Sequence, residues 1–188
     1  MKVLIFDTET SGIPLYHEPS DDPRQPYVVE LAADLIDFES REIIASLDFL
    51  IDNDVDIPED VIAIHGITRD MCAAEGIKPV EAHERFVELI SQADEVCGHQ
   101  VKFDLRMMRI HGARVTGEKW ECAVPHYCTM SGAHAHVKKL PRKPDGWAWP
   151  PSLPDTHLHI VGEPYPETHR ARPDCDAARR IYFNIRSL

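Results

Sequence analysis

Near the start of the chain, the stretch "FDTET" (6–10) sets Asp7 and Glu9 two residues apart, at the end of the apolar run "VLIF". On a strand, residues i and i+2 share a face. Two carboxylates aimed together repel one another and persist only with a cation or a proton between them. Two further acids stand in comparable settings. Asp104 closes "GHQVKFD" (98–104), after a short apolar run and at the start of a helical pattern. Asp174 closes "HRARPD" (169–174), with His169 five residues before it, and opens the last helical pattern. All four acids sit at element ends, where open α/β sheets collect their sites.

The elements that must position them follow from periodicity. "KVLIF" (2–6) is continuously apolar, as a buried central strand requires. Residues 13–27, rich in Pro and Asp, read as a loop. "VVELAADLID" (28–37) and "EIIASLDFLI" (42–51) predict a hairpin across "FESR". "IPEDVIAIHGI" (57–67) predicts a short helix ending at Gly66, and residues 79–93 a helix with Val80, Phe86, Val87 and Ile90 on its apolar face. "EVCG" (95–98) predicts a short strand, 103–112 a helix stopping at Gly112, and 174–188 a closing helix. Residues 138–154 carry five prolines and read as an ordered loop or lid. The sum is a mixed α/β sheet in one domain spanning 1–188, without internal repeats.

Composition narrows the classes. A chain of 188 residues, 43% hydrophobic and 28% charged, is long enough for a substantial core. No apolar run approaches a membrane span, and "MKVLIFDTETSG" is too short an apolar segment for a secretory signal, so the expectation is a cytoplasmic protein without a membrane partner. The five cysteines contain no CxxC pair, which argues for free thiols. A net charge of −12 opposes broad adhesion to nucleic acid but suits a protein that gathers carboxylates around metal ions.

Taken in order, "FDTET", "GHQVKFD" and "HRARPD" resemble the three motifs of the DEDDh group of 3′–5′ exonucleases, which includes the proofreading subunit of the bacterial replicative polymerase. "PYVVELAA" (26–33), "IHGIT" (64–68), "CTM" (128–130), "WPPSL" (149–153) and "VGE" (161–163) extend the resemblance over nearly the whole chain. It implies a ribonuclease-H-like fold with a five-stranded mixed sheet. It implies that Asp7, Glu9, Asp104 and Asp174 hold two divalent ions, Mg²⁺ or Mn²⁺, for which oxygen ligands are suited. Asp7 would bridge them, Glu9 and Asp174 would complete one site, and Asp104 would serve the second, partly through water. His169 would take a proton from the attacking water, a task suited to imidazole near neutral pH. Thr8, Thr10, His65, His99 and Phe103 are the implied substrate contacts. The implied partner is a 3′ end of single-stranded DNA, with RNA the nearest alternative and a DNA polymerase a further one. Two departures stand out: Gln100 replaces the family's usual Asn, and Pro173 precedes Asp174.

Plain structural roles compete with several of these. An Asp after a strand is often a turn or helix cap. His65 suits a helix C-terminus by charge, and Phe103 is an ordinary core residue. "KKLPRK" (Lys138, Lys139, Arg142, Lys143), followed by Trp147 and Trp149, can track a single strand by charge and stacking, or can be a solvated loop. Cys122, Cys128, His134 and His136 offer zinc-binding side chains at a spacing unlike known fingers. The competing classes are therefore a non-catalytic module that keeps the fold and binds nucleic acid or a polymerase, and a zinc-stabilised interaction protein.

Overall fold

The structure is a computed structural model, which describes residues 1–134, 136, 150–165 and 168–187. The basic run Lys138, Lys139, Arg142, Lys143, and Trp147 and Trp149 with it, lie outside the described residues.

In chain order the elements are β1 (Lys2–Thr10), β2 (Val28–Asp37), β3 (Ile43–Leu50), α1 (Glu59–His65), α2 (Arg69–Glu75), α3 (Pro79–Ile90), β4 (Glu95–Gly98), α4 (Val101–Thr116), β5 (His126–Cys128), α5 (Thr129–Ala133), α6 (Leu153–Val161) and α7 (Ala171–Arg186). The five strands form one mixed sheet in the order β3-β2-β1-β4-β5. β1 runs antiparallel to β2 and parallel to β4, so the apolar run at the start of the chain is the central strand. Both of its faces are covered, which is why its sequence does not alternate. Leu4 and Phe6 pack with Phe86, Leu89 and Ile90 of α3 and Met107 and Met108 of α4. Val3 and Ile5 point the other way, to Cys175, Ala178 and Tyr182 of α7.

β1 outruns its parallel neighbour. Its pairing with β4 covers Val3 to Ile5, while its pairing with β2 continues to Thr10. At Gly98 the two chains come so close that a Cβ would stand 2.9 Å from the Phe6 carbonyl oxygen. Beyond that point β1 has a partner on one side only. Asp7 and Glu9 lie on this last stretch, so they are strand residues rather than residues after a strand.

Several boundaries differ from those the sequence predicts. α4 passes through Gly112 and ends at Gly117, whose φ of 72° is a left-handed cap. Gly112 is there for closeness instead: a Cβ would meet His83 Cε1 at 2.7 Å and Trp120 Cβ at 3.0 Å. Val80 is 50% exposed, and the apolar stripe of α3 runs through Ala82, Phe86, Leu89 and Ile90. α7 starts at Ala171, so Pro173 lies in its first turn, where a missing N–H costs no intrahelical bond. α2 and α6 are helices beyond those that periodicity predicts. Each has a side-chain cap, Thr68 accepting from the Met71 N–H and Ser152 from the Asp155 N–H. β5 has no sequence signal, having only three residues.

Gln100 shows what one departure from the family pattern costs. It is the residue before α4 and adopts φ 66°, ψ 34°, the left-handed region that Asn tolerates better than Gln. Gln100→Asn is expected to stabilise the protein, by less than the roughly 1–2 kcal/mol that the left-handed region costs an ordinary residue, read as a higher denaturant midpoint with an unchanged slope; an equal or lower midpoint would count against backbone strain at this residue.

Candidate active site

The four acids arrive from three elements. β1 supplies Asp7 and Glu9 on the face that meets α7, as their two-residue spacing requires. α7 supplies Asp174 in its first turn. Carboxylate oxygens of Asp7, Glu9 and Asp174 lie within 4.8 Å of one another, and among the described residues this is the one group of His, Cys, Asp or Glu side chains close enough to share an ion. Cys122, Cys128, His134 and His136, all described, form no such group. Asp104, in the first turn of α4, approaches from the other face of β1. Its Oδ1 accepts hydrogen bonds from the Thr8 N–H (3.1 Å) and the Thr8 hydroxyl (2.8 Å). Thr8 is thus a holder of Asp104, although both also line a cleft.

Two clefts meet at these acids. The larger, about 670 Å³, is lined by His169, Tyr165, His99, Gln100 and Pro150–Pro154 as well as Asp7 and Asp174. The smaller, about 250 Å³, opens past Thr8, Glu9, Phe103 and Asp104. Phe103 combines the two roles considered for it, since it also packs against the main core. His99 Nε2 lies 3.2 Å from the Pro151 carbonyl and Nδ1 3.0 Å from the Thr129 hydroxyl. Because a carbonyl only accepts, His99 carries its proton on Nε2 and ties the wall of the larger cleft to the end of β4. Burial holds this imidazole down to about 4, and hence neutral.

His65 and Thr10 stand outside the residues that line the two clefts. The buried His65 accepts the Ile67 N–H on Nδ1 (2.9 Å), so Nε2 carries the proton and faces the Thr10 carbonyl at 3.3 Å. Burial also lowers its pKa, which opposes the charged, dipole-facing role the sequence suggested. The Thr10 hydroxyl donates to the Gly12 carbonyl at 2.7 Å. These two residues tie the end of β1 to the loops around it.

The electrostatics of the acids are set by crowding. Burial, then repulsion from Asp104, Asp174 and Glu9, pushes the Asp7 carboxyl well above the usual range. Burial, then Asp174 and Glu30, raises Glu9 to about 8. Burial raises Asp104 to about 7, outweighing the two hydrogen bonds from Thr8 that favour its charged form. Such a cluster favours bound protons or a bound cation, and its all-oxygen donor set fits a hard divalent ion.

Three contributors were not singled out from the sequence: Tyr165, Glu30 and Arg170. Tyr165 lines the larger cleft and donates its hydroxyl to Asp174 Oδ1. Burial and that hydrogen bond push its phenol up. Glu30 sits opposite Glu9 on β2 and is bound by Arg170 and by the Ala171 N–H. A lone carboxylate inside the apolar "VVELAA" was the available signal for Glu30, since such a group needs a partner. Tyr165 had none.

The five-stranded mixed sheet, in the order β3-β2-β1-β4-β5 with acids at the open end of its central strand, has the ribonuclease-H-like fold of the solved exonucleases it superposes on. The exonuclease family named for RNase T matches residues 4–182, and the chain belongs to it, within the DEDDh group of 3′–5′ exonucleases. No curated protein matches significantly in sequence. Among solved structures, exonuclease I from Methylocaldum szegediense superposes with a TM-score of 0.72 at 20% identity, over 99% of this chain and 40% of that one. E. coli exonuclease I in complex with a dT13 oligonucleotide gives 0.69 at 18% identity, over 97% of this chain and 40% of that one. The same enzyme with a dA16 oligonucleotide gives 0.72 at 19% identity, over 99% and 41%. The chain therefore spans about two fifths of the length of these relatives.

A carboxyl whose pKa is raised by folding binds its proton more tightly in the folded state. That stabilising proton is fully present below the ordinary carboxyl range and is lost as pH rises through the raised value. Without metal, thermal stability is thus expected to fall between the ordinary Glu value of 4.5 and about 8. Asp7→Asn should flatten the decline, and Mg²⁺ should reverse it at the alkaline end. Melting curves with chelator across this range test it; a wild-type profile as flat as that of the variant would contradict the repulsion.

Proposed function

We propose that the chain is a metal-dependent exonuclease that releases 5′-mononucleotides from the 3′ end of single-stranded DNA. The observation that carries this reading is the convergence of Asp7, Glu9 and Asp174 at the open end of β1, in a chain of the exonuclease family. Two divalent ions, held by these acids and Asp104, would stabilise charge on both the attacking and the leaving oxygen of the phosphodiester.

The protein's own groups do the rest. His169 lines the larger cleft beside Asp7 and Asp174. It accepts a proton as water attacks phosphorus; the 3′-oxygen of the penultimate nucleotide leaves, and the phosphate departs on the 5′ side of the released nucleotide. Thr8 holds Asp104 in place through its two hydrogen bonds. Phe103, in the lining of the smaller cleft, offers an apolar surface to the terminal nucleotide. The two clefts together are of a size suited to a small ligand such as one nucleotide, in the range of roughly 300–1,000 Å³. DNA is favoured over RNA because the exonuclease I structures include complexes with dT13 and dA16 oligonucleotides. A polymerase partner gains no support from these relatives.

The test is incubation of the purified chain with end-labelled DNA and RNA oligonucleotides in Mg²⁺, Mn²⁺ or chelator. Stepwise shortening from the 3′ end, dependent on metal and faster on DNA, is expected. Asp7→Ala should abolish it in a folded protein, and His169→Ala should lower turnover by about 10²–10⁴-fold with much less effect on binding. Wild-type turnover in either variant would remove that residue from the mechanism, and faster cleavage of RNA would reassign the substrate.

A further inference from the structure

Glu30 poses a problem. It is a buried carboxylate, 3% exposed, on β2 directly opposite Glu9. Its charge adds to the repulsion that raises Asp7 and Glu9. A fifth acid at this place makes the cluster harder to form, yet its oxygens are committed elsewhere. Arg170 Nε donates to both of them at 3.0 Å, Arg170 Nη2 donates to Oε1, and the Ala171 N–H donates to Oε2 at 2.8 Å. The carboxylate is thereby the cap of α7, supplied from a neighbouring strand, because Arg170 at the N-cap position provides no side-chain cap of its own.

The residue before this anchored pair is His169, at φ 46°. A non-glycine residue in this region is strained and persists only where its surroundings over-determine it. The Glu30 contacts grip the two residues that follow His169, from a strand far away in sequence. We propose that Glu30 and Arg170 form a positioning clamp that holds His169 in its left-handed conformation, facing the cleft; this rests on reading His169 as the general base. Glu30 itself lines neither cleft. It acts through the backbone of Arg170 and Ala171 and is a positioning residue.

The clamp has a signature that general destabilisation lacks. In Glu30→Gln, turnover should fall by about 10- to 100-fold, as for a misplaced catalytic group, with KM nearly unchanged. In a His169→Ala background the same substitution should cost nothing further, because the group being positioned is gone. Calorimetric titration with Mn²⁺ should show the wild-type number of bound ions in Glu30→Gln. Equal losses in both backgrounds, full turnover in folded Glu30→Gln, or a missing equivalent of Mn²⁺ would each overturn the clamp. If Glu30→Gln does not fold, Arg170→Lys, on the more exposed partner, keeps the charge but loses the planar fork and is read in the same cycle. Failure of the general-base reading looks different: His169→Ala alone would then retain full turnover while Asp7→Ala does not.

Discussion

The rest of the structure is arranged around one electrostatic constraint, the placing of several carboxylates at the unpaired end of a central strand. β1 is buried by helices along its first half and loses its parallel neighbour after Ile5. That loss opens a notch on one side of the strand, while β2 still supports the other edge to Thr10. The backbone is therefore held firmly while the side chains of Asp7 and Glu9 gain access to the clefts. Proximity without a cation is unfavourable, and the raised pKa values of Asp7, Glu9 and Asp104 express that. The fold supplies the energy to hold the acids together through packing elsewhere, and a bound cation would recover part of it.

Cationic side chains near the cluster are engaged by other acids. Arg170 is committed to Glu30, and Arg172 makes two hydrogen bonds to Asp34, at 2.9 and 3.0 Å. Glu30 and Asp34 lie on the same face of β2, the face that α7 covers. Two pairs of a buried acid with a partly exposed arginine thus tie α7 to the sheet. Such pairs contribute little net stability but strongly disfavour other registers, since a shifted helix would leave charges buried and unpaired. Because Asp174 rides on α7, the register of that helix decides whether the third carboxylate meets the other two.

Much of this was legible in the sequence where long-range patterns met local chemistry. The apolar run before Asp7, the hairpin, the cap at Gly66 and the three acid-bearing motifs all carry their signals within a few residues. The boundaries that differ have a common cause. Gly112 looks like a terminator because nothing local shows that His83 and Trp120 press against it. β5 is too short to show a period, and α6 begins where a proline-rich stretch masks its Ser152 cap. In the site, Asp7, Glu9, Asp174 and His169 were readable as motif residues. Tyr165 carries no pattern of its own, and the pairing of Glu30 with Arg170 joins residues 140 positions apart, which no local signal reveals.

The two helices that carry acids approach the site in the same way. Val101 is the first residue of α4 and Asp104 its fourth; Ala171 is the first residue of α7 and Asp174 its fourth. Each acid thus lies in a first turn, where the positive end of the helix dipole favours negative charge. A side chain so close to a helix start is aimed by the path of the chain into the helix. Ahead of each helix a non-glycine residue takes a left-handed conformation, Gln100 at φ 66° immediately before α4 and His169 at φ 46° two residues before α7. These residues also line the larger cleft. Backbone strain, helix start and acid placement therefore coincide twice on opposite faces of β1, and the sharp turn that aims each acid also brings a polar side chain into the lining of the larger cleft.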